Sequence, residues 1–325
     1  MNMEPDLGEF ELIRRFFLKP LRPGSGVILG IGDDAALIDV PKGSDLVASV
    51  DTIVAGRHFL LGAGARAIGH RSLAVNLSDM AAMGATPAWA TLALTMPNAD
   101  SEWLEKFAAG FFALAEAHAV ALVGGDTTRG PLTISVQILG HAPRGKSLRR
   151  SGAKDGDLLV VSGTLGDAGA GLAFLSKPPA TRSAAVETLV RRFDYPVPRV
   201  QLGIAARGIA SAAMDLSDGL IGDLPKLARA SGLAAHVSVE SLPLSAAMRD
   251  AVDPVQARDW ALAGGDDYEL LLALPPNRFA ELAAAADQLN LTLTPIGELR
   301  AGAGVTWSLN GKDFVPSVSG FDHFA

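Results

Sequence analysis

Five short acidic clusters punctuate this chain, and each follows an apolar run and is closed by glycine or polar turn residues. Carboxylates that end buried strands gather at one edge of a sheet, where they repel one another unless cations lie between them. Mg²⁺ is held by a few carboxylates and fills its remaining positions with water and substrate phosphate. The pattern therefore predicts a site for several magnesium ions and a phosphate substrate, the alternative being that turns simply favour Asp and Gly. The clusters are GIGDDAALI (30–38), SVDT (49–52), NLSDMAAMG (76–84), GGDTTRG (124–130) and MDLSDGL (214–220).

The composition limits the class of protein that such a site can belong to. With 325 residues, of which 49% are hydrophobic and 19% charged, the chain is long enough for two globular domains. A net charge of −7 without a lysine-rich stripe argues against a nucleic-acid partner. No apolar run reaches the ~18 residues that span a bilayer, the acidic N-terminus is unlike a secretory signal, and the absence of cysteine excludes disulfides and thiolate chemistry. We expect a cytoplasmic protein without membrane contact, in which bound cations offset its negative charge around an anionic substrate.

The apolar periodicity predicts an α/β (α+β) fold in two domains. The first half gives the order β-β-α-β-α-β-β, which is an α+β pattern rather than strict βαβ repetition. The pattern lapses at RRSGAKDGD (149–157), so we predict an N-terminal domain over 1–148 and a C-terminal α/β domain over 149–325. Near the N-terminus, Phe10, Ile13 and Phe17 share one helical face and predict a docked helix.

Two of the clusters have spacings that bear on metal binding. In MDLSDGL, Asp215 and Asp218 are three residues apart, and Gly219 stands where a helix begins, which brings both carboxylates to one side. Helix capping is the alternative, but a cap needs only one such residue. Asp33 and Asp34 are adjacent, so they point to opposite sides of an extended chain, and only one is expected to face the site.

One segment resembles a nucleotide-binding loop by its letters alone. GHAPRGKS (140–147) fits the phosphate-loop pattern GxxxxGK[ST], which requires a helix directly after it. Gly152 and Gly156 break any helix there, so we expect a connector between domains. A serine hydrolase is unsupported as well, because no GxSxG sequence occurs.

A second segment suggests recognition of a substrate group. GGDDYELLLA (264–273) places Asp266, Asp267 and Glu269 just before a buried strand, as candidates for recognising a cationic or amine-bearing group. The six histidines lack the spacing of metal ligands, and only His58, close to the second acidic cluster, is expected to have a function.

Taken in order, the motifs closely resemble the thiamine-monophosphate kinase family of the aminoimidazole ribonucleotide synthetase-like superfamily. The resemblance runs from Glu9 to Phe324 and implies a two-domain fold, with an N-terminal sheet that pairs with its twin in a homodimer. It also implies transfer of the ATP γ-phosphoryl group to thiamine monophosphate, giving thiamine diphosphate and ADP. The motifs are GEFELI, GIGDDAALI, DTIVAGRHF, LAVNLSDMAAMGATP, GGDTTRGPL, RSGAKDGD, MDLSDGL, GGDDYEL and FDHF.

The resemblance also implies roles for individual residues. The positions that match the family's magnesium ligands are Asp34, Ser49, Val50, Asp51, Asp79, Asp126, Asp215 and Asp218. Those that match its nucleotide contacts are Gly125, Asp126, Arg150 and Ser217, and those that match its thiamine-phosphate contacts are His58, Asp266 and Phe321. Val50 stands where threonine is common, so ligation there requires its backbone carbonyl, and Asp266 stands where glutamate is usual.

The chemistry implied is direct in-line transfer assisted by several Mg²⁺ ions, with Asp51, Asp126 and Arg150 as the catalytic residues. The acceptor phosphate is mostly ionised at neutral pH because its second pKa is about 6, so no general base is needed. Two alternatives stay open: another ATP-using member of the superfamily, such as aminoimidazole ribonucleotide synthetase, and a non-catalytic nucleotide- or metal-binding regulator. GGDTTRG and FDHF favour the kinase.

Overall fold

The computed structural model describes residues 8–178 and 181–320 and divides the chain into two compact units. The first unit comprises Met1–Leu77 and Thr86–Arg144, and the second comprises Ser78–Ala85 and Gly145–Ala325. This division falls after Arg144, whereas the boundary proposed from the sequence falls after Leu148. Within the described residues, no helix is long and apolar enough to cross a membrane.

The first unit is built on a four-stranded sheet in the order β3-β6-β4-β5, beside a two-stranded ribbon of β1 and β2. The central strands β6 and β4 pair antiparallel, β3 pairs antiparallel with β6, and β5 pairs parallel with β4. The edge strands of the larger sheet are therefore β3 and β5. The strands are β1 (Val27–Leu29), β2 (Leu37–Ile38), β3 (Ser44–Val54), β4 (Thr86–Met96), β5 (Ala121–Arg129) and β6 (Thr133–Pro143); the helices are α1 (Glu9–Leu12), α2 (Ala65–Ala82) and α3 (Ser101–Ala117).

The two faces of this sheet differ in burial. Val136 and Ile138 of β6 and Leu92 and Leu94 of β4 are at most 4% exposed and form the core face. On the other face, Val50 of β3 is 59% exposed. One face is thus packed and the other lies open in a single chain, which is common for a largely antiparallel sheet.

The N-terminal helix differs from its prediction. After α1 the chain continues as a π-helical turn over Ile13–Phe17, which adds a residue to the turn and shifts the buried face. Phe10 is consequently 85% exposed, while Leu12, Phe16 and Phe17 are buried. The helix exists as predicted, with Phe17 buried and Ile13 half-buried, but the prediction is wrong for Phe10, whose place on the buried face is taken by Leu12 and Phe16.

The second unit contains a seven-stranded, mixed sheet in the order β13-β12-β9-β11-β7-β10-β8 with helices around it. Its core joins alternate residues of the central strands, such as Leu159, Val161 and Leu271, to helix residues such as Leu224. The strands are β7 (Leu158–Ser162), β8 (Ala212–Asp215), β9 (Leu233–Ser238), β10 (Leu270–Leu274), β11 (Leu293–Ala301), β12 (Val305–Leu309) and β13 (Lys312–Phe314). The helices are α4 (Asp167–Ser176), α5 (Ala184–Asp194), α6 (Val200–Ala206), α7 (Leu220–Ser231), α8 (Ala246–Ala251), α9 (Pro254–Ala263) and α10 (Phe279–Gln288).

The α/β (α+β) class with two units is confirmed, and most elements lie where the apolar pattern predicts them. Helices α8 and α9 were not predicted, although both carry helix-start signals. Ser245 accepts a hydrogen bond from the Met248 N–H, and Asp253 caps α9 immediately before Pro254. The GHAPRGKS segment finishes β6 and is followed by turns rather than by a helix, as expected for a connector.

Candidate functional site

The acidic clusters do not all follow the ends of strands, and this part of the sequence interpretation is wrong. Asp51 lies in the middle of β3, Asp126 lies inside β5, and Asp79 lies within α2. Only Asp215 ends a strand, β8, while Asp34 lies in a bend after an isolated bridge. The glycine and polar residues were interpreted as turns, but edge strands such as β3 and β5 accommodate polar side chains, because an edge strand is open to solvent.

The first unit brings Asp34 and Asp126 to a common cavity of about 650 Å³. Its apolar wall includes Phe17 and Leu122, and Arg14 from the π-helical turn lines it as well. The cavity therefore offers two predicted magnesium ligands beside an apolar surface. Asp33 also lines it, and its Oδ1 accepts the Asp34 N–H at 2.8 Å.

Gly125 is required by the sheet itself. Its φ is +150°, and a Cβ there would lie 1.9 Å from the carbonyl oxygen of Leu92 on β4. Any side chain would push β5 away from β4, so Gly125 allows the close pairing of these two strands, of which β5 carries Asp126.

Asp51 and Asp126 do not meet within one chain. Asp51 pairs with Val136, which pairs with Leu92, so all three lie on the core face. Asp126 pairs with Ala93 and lies on the opposite face of the sheet. Three strand spacings of about 4.8 Å also separate β3 from β5, or roughly 14 Å. A single ion cannot bind both carboxylates across that distance.

The other predicted residues near Asp51 have defined positions. Ser49 shares its face of β3, Val50 points to the open face, and the Asp51 N–H donates to Oδ1 of Asn76 at 3.1 Å. In the turn after β3, Nδ1 of His58 accepts the Val54 N–H at 3.0 Å. A neutral His58 ring therefore carries its proton on Nε2, which makes that nitrogen a hydrogen-bond donor.

The second unit holds a buried acidic pair. Asp215 is 6% exposed and accepts a hydrogen bond from the Ser78 hydroxyl at 2.7 Å. Burial, and after it the charge of the neighbouring Asp79, raise the pKa of Asp215 to about 7 against the opposing effect of the hydrogen bond from Ser78. A bound cation would relieve both the burial of this charge and the repulsion from Asp79.

The MDLSDGL turn is organised by two residues that the sequence interpretation missed. Oδ2 of Asp223, a buried residue of α7, accepts the N–H groups of Ser217 and Asp218, both at 2.9 Å. Lys226 lies one helical turn further on and bonds Asp218 at 2.7 Å and Asp223 at 2.9 Å. The i, i+3 spacing of Asp223 and Lys226 at the start of a helix was the available signal. Lys226 occupies Oδ2 of Asp218, so metal ligation through that oxygen would require displacement of Lys226.

The predicted nucleotide and substrate positions of this unit are neighbours. The Asp266 N–H donates to the Ser217 carbonyl, and the Tyr268 N–H donates to that of Leu216, both at 2.9 Å. A Cβ on Gly320 would lie 2.8 Å from the Cα of Gly222, so the chain also passes close to the start of α7 just before its last residues. Phe321, the remaining predicted substrate contact, lies outside the described residues.

Asp267 and Glu269, the two acids that follow Asp266, have structural roles. This corrects the expectation that all three acids recognise a substrate group. Asp267 accepts the N–H groups of Gly166 and Ala168 at the start of α4, at 2.5 and 3.2 Å. Glu269 is fully buried and accepts from the Ser162 hydroxyl at 2.6 Å and from two arginines. The arginine partners are Arg192 at 2.8 Å and Arg199, whose Nε lies at 2.7 Å.

Arg150, the predicted phosphate-binding arginine, is exposed in the connector before β7. Its backbone carbonyl accepts the Ser231 hydroxyl at 3.1 Å, which ties the connector to the end of α7. The guanidinium therefore projects from an anchored backbone.

The donor set fits Mg²⁺ bound together with a phosphate substrate. Among the described residues, no group of three or more His, Asp or Glu side chains is placed to hold an ion. Asp34 and Asp126 line one cavity instead, and Asp79 is a charged neighbour of Asp215. Magnesium is usually bound by one or two carboxylates plus water and substrate phosphates rather than by a cage of protein ligands.

Comparison with known proteins gives consistent matches along the whole chain. Residues 32–142 match the AIR synthase related protein, N-terminal domain, and residues 154–309 match the C-terminal domain of the same family. The chain is 47% identical over 320 residues to the thiamine-monophosphate kinase of Salmonella typhimurium, covering 98% of each protein. It is 32% identical over 330 residues to that of Bacillus subtilis, covering 98% of this chain and 100% of the relative.

Solved structures agree with these matches. The structure is similar to the thiamine-monophosphate kinase of Stenotrophomonas maltophilia, with a TM-score of 0.84 at 47% identity, over 90% of this chain and 93% of that one. It is also similar to AaThiL complexed with AMPPCP and TMP, with a TM-score of 0.77 at 32% identity, over 90% and 92% of the two chains. The hydrogenase maturation protein HypE of E. coli shares the fold, with a TM-score of 0.74 at 22% identity over 94% of each chain.

Proposed function

The chain belongs to the thiamine-monophosphate kinase family of AIR synthase related proteins, and from that membership we propose that it phosphorylates thiamine monophosphate with ATP, giving thiamine diphosphate and ADP. The 47% identity over 98% of the chain carries this conclusion. The binding of AMPPCP and TMP by AaThiL supports ATP and thiamine monophosphate as the two substrates. Because the reaction consumes ATP, we also propose a cytoplasmic location.

The turn formed by Leu216–Asp218 and the segment that carries Asp266 suit this reaction. In-line transfer requires the donor and acceptor to lie close together and to be held in a fixed orientation. Ser217 is proposed to contact the nucleotide, together with Gly125, Asp126 and Arg150, and Asp266 is proposed to contact thiamine phosphate. The carbonyl of Ser217 accepts a hydrogen bond from the Asp266 N–H. One rigid pair of turns can thus hold a contact for each substrate.

The remaining substrate contacts have complementary chemistry. The Nε2–H of His58 can donate to a phosphate oxygen, and Phe321 can offer an aromatic face to the cationic thiazolium ring. Asp266 can accept a hydrogen bond from the amino group of the aminopyrimidine. No residue needs to remove a proton, because the acceptor phosphate is already ionised.

We propose Mg²⁺ as the metal, held by the carboxylates of Asp34, Asp51, Asp79, Asp126, Asp215 and Asp218, with Ser49 and the carbonyl of Val50. When bound, magnesium offsets the charge repulsion between donor and acceptor phosphates. Arg150 adds a permanent positive charge from the protein. Asp51, Asp126 and Arg150 are proposed as the catalytic residues, since they would contact the reacting phosphates or their ions.

The separation of Asp51 from Asp126 makes a homodimer part of this proposal. A two-fold axis parallel to the strands would stack two copies of the sheet by their open faces and reverse the strand order. Strand β3 of one copy would then lie opposite β5 of the other, at the ~10 Å spacing of packed sheets. Asp126, on the open face, would then lie beside the edge strand β3 that carries Asp51 of the second copy, so that one site could form around this edge, while the exposed Val50 would be covered.

An assay with ATP and thiamine monophosphate, following both ADP and thiamine diphosphate, tests the proposal. We expect the two products to form in equal amounts, with no ADP formed when thiamine replaces its monophosphate. ADP formation that ignores the acceptor would indicate another reaction, and binding of ATP without turnover would indicate a regulator.

A further inference from the structure

Two residues in the segment from Gly264 to Glu269 have a backbone conformation that residues with side chains seldom adopt. Asp266 has a φ of 69° and Tyr268 a φ of 51°, both in the left-handed region. For a residue as bulky as tyrosine this conformation is uncommon and costs free energy that the surrounding contacts must supply. Strain of this kind concentrates at functional sites, so the contacts that maintain it are informative.

Two buried acids anchor the segment on either side of Tyr268. The Asp267 carboxylate accepts backbone N–H groups at the start of α4. Gly166, the N-cap residue of that helix, cannot accept them because it has no side chain. Glu269 is locked by Ser162 and two arginines. With these acids fixed in the interior, Asp266 is the one acid of the segment that stays partly exposed.

Tyr268 connects the anchored part to Asp266. Its side chain is 8% exposed, and its hydroxyl donates to Oδ1 of Asp266 at 3.1 Å. A buried ring holds its hydroxyl in one place, so this hydrogen bond fixes the rotation of the Asp266 carboxylate. A carboxylate with a fixed rotation presents its lone pairs in fixed directions, as selection between similar substrates requires.

We infer that Tyr268 is a positioning residue for substrate choice: its hydroxyl orients the Asp266 carboxylate toward the amino group of the aminopyrimidine of thiamine monophosphate. This inference rests on the proposed function. It also accounts for the strained backbone at Tyr268, because the left-handed turn there directs the hydroxyl back to Asp266. Tyr268 does not itself contact the reacting phosphates.

A comparison of two substrates with three variants tests the inference. One substrate is thiamine monophosphate and the other is the analogue in which an oxo group replaces the pyrimidine amino group. We expect the wild type to prefer the amino compound in kcat/KM by about tenfold or more, because a site built to bind a hydrogen-bond donor rejects an analogue without it. Tyr268→Phe should reduce that preference about tenfold through the KM of the amino compound. The KM for ATP and the melting temperature should stay unchanged.

Two further variants separate positioning from packing. Asp266→Asn should lose the preference as Tyr268→Phe does, and the double variant should lose no more than either single one, because both act through one contact. Tyr195→Phe removes the hydroxyl of the other tyrosine of the chain and should leave the preference intact.

The possible outcomes are distinct. An undiminished preference in Tyr268→Phe, or losses that add in the double variant, would overturn the role of Tyr268 while leaving the kinase activity established. A lower melting temperature with equal changes in both KM values would show that the hydroxyl serves packing alone. No turnover of thiamine monophosphate by the wild type would overturn the proposed function and this inference with it.

Discussion

Asp126 combines a proposed catalytic role with an exposed position on an edge strand, so its charge can be removed without disturbing the core. Asp126→Asn keeps the size of the side chain and loses one negative charge. We expect turnover to fall at least ~100-fold, because a metal ligand contributes several kcal/mol to transition-state stabilisation. The melting temperature should stay within about 2 °C, as for most surface substitutions.

Asp45→Asn provides the matched control for this measurement. Asp45 also lies on an edge strand of the same sheet, and its ion pair with Arg144, at 3.6 Å, is exposed and contributes little. Both rates should be measured in saturating ATP and thiamine monophosphate. A wild-type rate in Asp126→Asn would contradict the catalytic assignment.

Asp267 predicts a pH dependence of stability. Burial raises its pKa to about 8, against the opposing effects of the Gly166 N–H and Arg192. Between the unfolded pKa of about 4 and the folded value, the folded state binds a proton that the unfolded state lacks. The free energy of unfolding should therefore fall as pH rises through this window and level off above pH 8.

Asp267→Asn isolates this effect, since asparagine does not titrate. The difference in unfolding free energy between wild type and variant should decrease by about 1 kcal/mol per pH unit from pH 5.5 to 7.5. Urea titrations without nucleotide or Mg²⁺ would measure it. A difference that does not vary with pH would show that Asp267 keeps one protonation state throughout this range.

At the residue scale, the sequence indicated which residues could have a function more readily than it indicated which groups those residues contact. Asp215 could be singled out because it stands three residues before Asp218 at the start of a helix, and Asp266 because it follows two glycines just before a buried strand. Whether an acid serves a ligand or the protein depends on its partners. Glu269 accepts from arginines more than 60 positions away in the chain, and no local pattern reveals such contacts.

Elements were predictable wherever apolar periodicity was long and uninterrupted, as in α2 and β6. Prediction failed where local chemistry competed with sheet position. The glycine and polar residues of GGDTTRG favour a turn locally, yet pairing with β4 keeps them in strand β5. The π-helical turn after α1 was likewise invisible, because its extra residue is set by packing and not by composition.

The connection between β7 and α4 depends on a glycine that makes room for Glu269. A Cβ on Gly163, whose φ is +59°, would lie 2.2 Å from Oε1 of Glu269. Gly163→Ala should therefore displace the carboxylate from its arginines, at a cost of roughly 3 to 5 kcal/mol in unfolding free energy. Urea unfolding at neutral pH measures the loss.

Gly232→Ala is the matched control, because Gly232 has a similar φ of +68° and a Cβ there would meet no atom of the described residues within 4 Å. It should lose only the ~1 kcal/mol that a left-handed backbone costs a residue with a side chain. Equal losses in the two variants would show that the Glu269 contact adds nothing to the backbone effect.

At the scale of the whole molecule, the sheet of the first unit has an exposed face that a second copy of the chain could cover. Its open face exposes Leu46 and Val50 at 52% and 59%. A homodimer that covers this face should bury on the order of 2,000 Å² or more, as obligate interfaces do. Sedimentation at micromolar concentration should give a dimer, and a monomer at all concentrations would contradict the assembly.

Complementation between two inactive variants tests whether the dimer shares its sites. Asp51→Asn and Asp126→Asn should each be inactive alone. If Asp51 of one chain acts with Asp126 of the other, a mixed dimer has one site with both substitutions and one site with neither. Equal co-expression should then restore about a quarter of the wild-type rate, since half of the dimers are mixed and each has one intact site.

If each site is built from one chain, every site in the mixed dimer carries a substitution and no activity returns. Recovery of activity would therefore show that Asp126 of one chain acts with Asp51 of the other. The roughly 14 Å between β3 and β5 of one chain requires this arrangement if both residues bind one ion.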